Sequence, residues 1–229
     1  MQDYSKLLKK LNLKFKDLKI LETAFTHRSY LNEVRSVKQS NERMEFLGDA
    51  VLSYIISSYL YKIRPQDTEG ELTNLRSYIV KTKSLATASE ELGLGSYLLL
   101  SKGEEMTGGR TNQQLLANTF ESFLGAVYLD QGIEKAEKLV QDVLSPKFEQ
   151  EIKSGPPKDS KSELQEVTQT NSKQSPHYKI LRTTGPDHAK AFIVGVYVNG
   201  VELGKGEGTS KQAAEEEAAA AALEKLNGS

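Results

Sequence analysis

The segment Asn41-Glu-Arg-Met-Glu-Phe-Leu-Gly-Asp-Ala-Val-Leu52 sets three carboxylates among Met, Phe, Leu and Val. In a helix, Glu42, Glu45 and Asp49 stand at i, i+3 and i+7, within an arc of roughly 60° at about 100° per residue. The same stripe continues as Leu52 and Ile56, while Met44, Phe46, Leu47, Val51, Tyr54 and Ile55 occupy the other faces. A helix apolar nearly all round is normally a buried one. Carboxylates on it are costly unless paired or bound to a cation. Arg43 can neutralise at most one of them. A solvated acidic first turn, favoured by the helix dipole, accounts for Glu42 and Glu45. It accounts poorly for Asp49, two turns in. Two readings therefore stand side by side, a metal site and ordinary capping with surface charge.

A second segment repeats the anomaly. Leu115-Leu-Ala-Asn-Thr-Phe-Glu-Ser-Phe-Leu-Gly125 places Asn118 and Glu121 at i and i+3 in an otherwise apolar helix. Glu69, in Thr68-Glu-Gly-Glu, is a further candidate that also reads as a helix-start acid. Ligands that are all oxygen point to a hard cation, Mg2+ or Mn2+. Zinc is disfavoured, because the histidines are only His27, His177 and His188, unsuited in spacing, and cysteine is absent. Acidic clusters of this kind serve phosphodiester hydrolysis. The chain has no Gly-x-Ser-x-Gly elbow and no His-Glu-x-x-His. Gly204-Lys-Gly-Glu-Gly-Thr-Ser-Lys211 lacks nucleotide-loop spacing and reads as a turn feeding a helix start able to meet a phosphate.

Helices must carry these residues. Leu7, Leu8 and Leu11 mark a first amphipathic helix, and Asn41 is placed to cap a long one running to about Ile63, stopped by Pro65. Helical periods follow from Glu69 to about Lys81, Ser84 to about Leu92, Gln113 to about Leu129 and Ile133 to about Ile152. Lys153-Ser-Gly-Pro-Pro-Lys158 cannot continue a helix and reads as a linker. The pattern then changes. Ser160 to Thr170 is helical, while His177 to Thr183 and Ala191 to Val198 are strand-like. Phe192, Val194, Val196 and Val198 share one strand face suited to packing on a helix. Asn199-Gly200 predicts a tight hairpin, Val201 to Gly206 a returning strand, and Thr209 or Ser210 the cap of an alanine-rich helix reaching Lys225. The expectation is an all-α domain over 1–152, a linker over 153–158 and a small α-β-β-β-α domain over 159–229, multidomain α and α+β in class.

At 229 residues, with 30 Lys+Arg against 31 Asp+Glu, the chain has room for such cores and lacks a uniformly basic surface. Residues 155–229 hold nine basic and ten acidic side chains, so the small domain is no exception. A polyanion partner must be gripped by a local patch. Zero cysteine rules out a disulfide framework. No apolar run reaches the ~18–20 residues of a membrane span. Met1-Gln-Asp-Tyr-Ser-Lys lacks the build of a secretory leader, so the expectation is a cytoplasmic protein without membrane attachment.

Asn41-Glu-Arg-Met-Glu-Phe-Leu-Gly-Asp-Ala resembles the signature of bacterial ribonuclease III, with Met44 where Leu is usual. Thr26-His-Arg-Ser-Tyr30, Glu69-Gly70 and Leu116 to Asp130 match in order. Ser162-Glu-Leu-Gln-Glu166, Gly185-Pro-Asp-His188 and Gly208-Thr-Ser-Lys211 resemble that family's double-stranded RNA-binding domain. The resemblance implies a homodimeric endonuclease that cuts both strands of double-stranded RNA, leaves 5′-phosphate and 3′-hydroxyl ends with short 3′ overhangs, and processes ribosomal and messenger RNA. It implies Mg2+, with Mn2+ able to substitute, and no small-molecule organic cofactor. Glu45, Asp49, Asn118 and Glu121 match the metal-binding set, with Asp49 and Glu121 at the catalytic positions. Glu42 and Glu69 match acidic residues bordering the cleavage site. Phe46 matches an aromatic that packs across the dimer, its plain alternative being the core. Ser162, Gln165, Glu166, Pro186, His188, Ser210 and Lys211 match RNA-contacting positions.

Two departures qualify what the resemblance implies. Asn118 stands where the family usually has Asp, removing a charge from a site that binds by charge. The last helix, Ser210-Lys-Gln-Ala-Ala-Glu215, keeps a single basic residue at its opening where the family has several. The alternative function is therefore a duplex-RNA-binding protein on the same scaffold that cuts weakly or not at all.

Overall fold

A computed structural model describes residues 2–155, 159–172, 174–186 and 190–227. The chain falls into two units, Met1–Pro156 and Pro157–Ser229. Among the described residues no helix is long and apolar enough to cross a membrane.

The first unit is helical: α1 (Ser5–Lys10), α2 (Leu18–Ala24), α3 (Glu42–Ile63), α4 (Glu69–Ile79), α5 (Thr82–Leu92), α6 (Lys102–Met106), α7 (Gln113–Gln131), α8 (Ile133–Val143) and α9 (Glu149–Ser154). Its core forms where α3 and α7 cross. Leu52, Ile55, Ile56 and Leu60 of α3 meet Phe120, Phe123, Leu124 and Val127 of α7, all of them buried. Glycine sets the closeness of that crossing. A Cβ on Gly48 would lie 1.8 Å from the carbonyl oxygen of Glu121, and one on Gly125 would lie 2.5 Å from that of Met44. The two backbones touch, so side chains flanking the contact are brought within reach of each other. Hydroxyls tie α7 to its surroundings: Ser122 donates to the Ala24 carbonyl at 2.8 Å and Ser89 to that of Leu116 at 2.6 Å.

Several expectations change here. Asn41 does not cap α3 through its side chain; its own backbone is already helical (φ −73°, ψ −11°), which precludes the extended N-cap geometry. Nor is α3 apolar and buried all round, because Phe46, Tyr54 and Tyr61 are 81%, 59% and 76% exposed. The single helix expected from Ile133 to Ile152 breaks after Val143. Pro146 enters a 3₁₀ turn at Ser145–Phe148, and α9 resumes beyond it. Lys153 and Ser154 belong to α9, so the expected 153–158 linker starts no earlier than Gly155 (φ +86°); 156–158 lie outside the described residues.

The second unit holds α10 (Ser160–Ser172), β1 (His177–Thr184), β2 (Ala191–Val198), β3 (Val201–Gly208) and α11 (Lys211–Asn227). The strands are antiparallel in the order β1-β2-β3, with a register shift between Ile180 and Arg182. Asn199 and Gly200 (φ +54° and +77°) make the tight turn, with Val198 opposite Val201. Val194, Val196 and Leu164 pack with Ala214, Ala218, Ala219, Ala222 and Leu223. The strand expected over Val201 to Gly206 runs on to Gly208, so Glu207 and Gly208 are strand and not turn. Cβ atoms on Gly204, Gly206 and Gly208 would each fall 2.2–2.5 Å from backbone atoms of Ala214 or Ala218. Glycine on the strand and alanine on the helix let α11 lie directly on β3. The α-β-β-β-α order is as expected.

Candidate active site

A cleft of about 350 Å³ opens beside the α3–α7 crossing, lined by His27, Arg28, Glu42, Glu45, Leu115 and Asn118 among others. Glu42 sits on the rim, where it accepts from the Ser40 hydroxyl at 2.8 Å. Its cationic neighbour is Arg28, at 3.8 Å, and not Arg43. Glu45 is half-buried and lines the same cleft as Asn118. Burial, then the charges of Glu42 and Asp49, raise its pKa, and the polar Asn118 side chain opposes them. Asn118 Oδ1 accepts from Gln114 Nε2 at 2.8 Å.

Glu121 lies at the close contact itself. Burial, then the charges of Asp49 and Glu45, push its carboxyl up to about 7. Asp49 is exposed but close enough to act on both glutamates. The structure thus gathers Glu45, Asp49, Asn118 and Glu121 around one crossing. Among the described residues, however, no group of three His, Cys, Asp or Glu side chains is gathered tightly enough to hold a metal ion as it stands. One member of the set is an amide. The donor set still fits a hard divalent cation in kind. It is all oxygen, and it keeps a carboxyl proton near neutral pH that a cation would displace.

Glu69 does not join this group. It opens α4, which Thr68 caps in a reciprocal box with Glu71, and its side chain accepts from Thr73 at 3.3 Å. It is not among the charges that act on Glu45 or Glu121. Phe46 is outside the core. It lies beside a cavity of about 910 Å³ that also touches Leu31, Met44, Leu47 and Leu129.

His27 carries no role in the expected site, although it lies in the Thr26-His-Arg-Ser-Tyr30 match. It sits ahead of the 3₁₀ turn Arg28–Asn32, and its Nδ1 accepts from the Ser29 backbone N–H at 3.3 Å. The Ser29 hydroxyl lies 2.8 Å from the same nitrogen and itself accepts from the Ser101 N–H at 3.0 Å. A backbone N–H can only donate, so Nδ1 must carry the lone pair and Nε2 the proton. Burial lowers the pKa of this imidazole. The result is a neutral donor in the cleft wall. Gln114 is the other residue not foreseen; its only sequence signal is the i, i+4 spacing to Asn118.

In the second unit, Ser162, Gln165 and Ser210 line a cavity of about 750 Å³ with Lys161, Gln212 and Glu216. Ser210 Oγ accepts from the Ala213 N–H at 3.1 Å and so caps α11. Glu166, Pro186 and Lys211 are exposed; His188 lies outside the described residues. The acids that follow Lys211 have structural partners. Glu215 pairs with Lys161 at 2.5 Å, Glu216 accepts from the Ser160 N–H, and Glu217 accepts from the Glu207 N–H at 3.0 Å. They tie α10 and β3 to α11 and spend a lysine in doing so.

Residues 17–148 match the family described as Ribonuclease-III-like, and residues 160–226 match the double-stranded RNA binding motif. Ribonuclease 3 of Enterococcus faecalis is 46% identical over 223 residues, covering 97% of this chain and 96% of that protein. Ribonuclease 3 of Bacillus cereus is 48% identical over 218 residues, covering 95% and 89%. The solved nuclease domain of ribonuclease III from Campylobacter jejuni superposes with a TM-score of 0.60 at 36% identity, covering 64% of this chain and 99% of that one. With a helical nuclease unit, acidic side chains gathered at its central helix crossing and an RNA-binding motif later in the sequence, the chain belongs to the ribonuclease III family of endoribonucleases.

Proposed function

We propose that this protein cleaves double-stranded RNA on both strands as a homodimer, with Mg2+ (or Mn2+) held by Glu45, Asp49, Asn118 and Glu121. The products carry 5′-phosphate and 3′-hydroxyl ends with short 3′ overhangs, and the substrates are ribosomal and messenger RNA precursors in the cytoplasm. One observation carries this reading: Glu121 lies where two helices touch, and burial, then the charges of Asp49 and Glu45, push its carboxyl up to about 7. Such a cluster rewards a divalent cation over any monovalent partner. When bound, the cation polarises the phosphoryl oxygen, acidifies the attacking water and offsets charge on the leaving oxygen.

The chain's own residues supply the rest. His27 presents Nε2–H, a neutral donor suited to a phosphate oxygen in the cleft. Arg28 balances Glu42 on the rim, where a polyanion has to pass. Phe46, exposed beside an apolar cavity, fits a second copy of the chain better than water. The similar Campylobacter jejuni structure is described as having a region involved in dimer formation, which supports that assignment. Glu69 then belongs with the cleavage site through the assembled dimer. Ser162, Gln165, Glu166, Pro186, His188, Ser210 and Lys211 contact duplex RNA by shape and phosphate, as the double-stranded RNA binding motif implies.

A second reading has its own support in Asn118. Its oxygen is taken by Gln114 and it brings no negative charge, so the same scaffold would bind duplex RNA and cut it weakly. Cleavage of a long duplex across a Mg2+ and Mn2+ titration, beside Asn118→Asp, separates the two. Cutting of both strands by the chain as it stands supports the nuclease. Cutting by Asn118→Asp alone supports the binder.

A further inference from the structure

The backbone around His27 is tied on two sides. The His27 N–H donates to the Leu99 carbonyl at 3.0 Å, and the Asn41 N–H, just ahead of α3, donates to the Thr26 carbonyl at 2.8 Å. The ring is tied as well. Ser29 sets two groups against Nδ1, its backbone N–H at 3.3 Å and its hydroxyl at 2.8 Å. With no proton on Nδ1, the hydroxyl is the donor of that pair. Its oxygen in turn accepts from the Ser101 N–H at 3.0 Å. This chain from Ser101 through Ser29 to His27 leaves the ring proton on Nε2. Among the described residues Nε2 has no hydrogen-bond partner, and the half-buried ring lines the same cleft as Glu45 and Asn118.

We infer that His27 contacts RNA, its Nε2–H donating to a phosphate oxygen of a duplex in the cleft, and that Ser29 is the positioning residue that keeps the proton on that nitrogen. This rests on the cleft being the cleavage site, and it names the chain's own group that meets the phosphate there. A neutral donor suits a wall shared with carboxylates. A cationic side chain in that place would be drawn to the acids, as Arg28 is to Glu42 at 3.8 Å. An imidazole held neutral stays available to the phosphate. Because it carries no charge, the contact releases no counterion, so its loss lowers affinity and leaves the salt slope alone.

The test separates the donor at Nε2 from the cap at Nδ1. His27→Asn sets an amide oxygen near the place of Nδ1, so it keeps the cap on the Ser29 N–H and loses the far N–H. His27→Gln carries its amide nitrogen out to the reach of Nε2 and gives up the cap. Binding of a short duplex RNA to the full-length chain is measured with Ca2+ in place of Mg2+, at about pH 8 where an ordinary imidazole is neutral, over a range of KCl. His27→Asn is expected to weaken binding roughly tenfold with an unchanged salt slope, and His27→Gln to recover most of the loss. Ser29→Ala should weaken binding about threefold, with no further loss in the His27→Asn background. Two-bond 1H–15N spectra of histidine-labelled protein should show the Nε2–H tautomer alone at His27 in the parent and a mixture in Ser29→Ala. Loss with His27→Gln but not with His27→Asn makes His27 a cap only and overturns the contact. A salt slope lower by about 1 in His27→Asn overturns the neutral donor. Equal losses from Ser29→Ala in both backgrounds, or an unmoved tautomer, overturn the role of Ser29. Cleavage in Mg2+ or Mn2+ is read separately. Cutting by the parent or by Asn118→Asp, with no binding loss in His27→Asn, overturns the contact alone, whereas no cutting by either overturns the reading of the cleft on which it rests.

Discussion

Replacing Glu121 with Gln should stabilise the cation-free protein at pH 8 and change little at pH 4. The carboxyl titrates near 7 in the folded chain against an ordinary value of 4.5. Because its folded pKa lies above the unfolded one, the native state binds this proton more tightly. The stability it contributes is complete below about pH 4.5 and is lost as pH rises to about 7. A displacement of that size corresponds to roughly 3 kcal/mol at about 1.4 kcal/mol per pH unit. Part of the side chain stays in water, and screening brings the expectation down to about 2 kcal/mol. Gln is nearly isosteric and carries no charge, so it escapes the loss. Thermal unfolding of the full chain in EDTA, followed by far-ultraviolet circular dichroism, should show the variant about 4–8 °C above the parent at pH 8. At pH 4 the two should melt together. Adding Mg2+ at pH 8 should raise the parent more than the variant. A variant no more stable at pH 8 than at pH 4, relative to the parent, refutes the raised pKa that burial and the charges of Asp49 and Glu45 give Glu121.

Gly48→Ala should cost at least ~3 kcal/mol or prevent folding of the nuclease unit, since its Cβ meets a backbone oxygen at 1.8 Å. Gly70→Ala, with nothing within 4 Å, should instead stabilise by about 0.5–1 kcal/mol; denaturant titration distinguishes them. Phe46→Ala should leave the circular dichroism spectrum intact and shift the light-scattering mass toward monomer, and an unchanged dimer at low concentration argues against its role across the interface. Lys211→Ala should lower the salt slope of duplex-RNA binding by about 1 and weaken all duplexes alike, whereas a sequence-dependent loss points to base contact.

What was readable in the sequence was local. The i, i+3, i+7 spacing of Glu42, Glu45 and Asp49 and the i, i+3 spacing of Asn118 and Glu121 are properties of single helices, and α3 and α7 form over those residues. Their meeting is tertiary, and it depends on two glycines that carry no hydrophobic signal. The exposure of Phe46, Tyr54 and Tyr61 was hidden for the opposite reason, since apolar residues read as buried whether they face a core or a partner. Pro146 breaks the helix expected from Ile133 to Ile152, and the apolar spacing of Leu139, Val140, Leu144 and Phe148 hid the break, because the chain returns to the same core after it. Gly204, Gly206 and Gly208 alternate as strand residues do, yet the side chains that would mark the inner face are absent. Their complement was present all along in Ala214, Ala218 and Ala222, spaced one helical turn apart.

That pairing of glycine strand with alanine helix bears on how the small unit tolerates change. In an ordinary core, an enlarged side chain can be accommodated by shrinking its neighbour, and pairs of positions drift together. Here the strand partner is already the smallest residue, and the obstacle a new side chain meets is backbone. No second substitution can make room. The contact between β3 and α11 is consequently a place where variation is closed and not merely coupled, so sequence drift in this unit is pushed to β1, the hairpin and the outer face of α11.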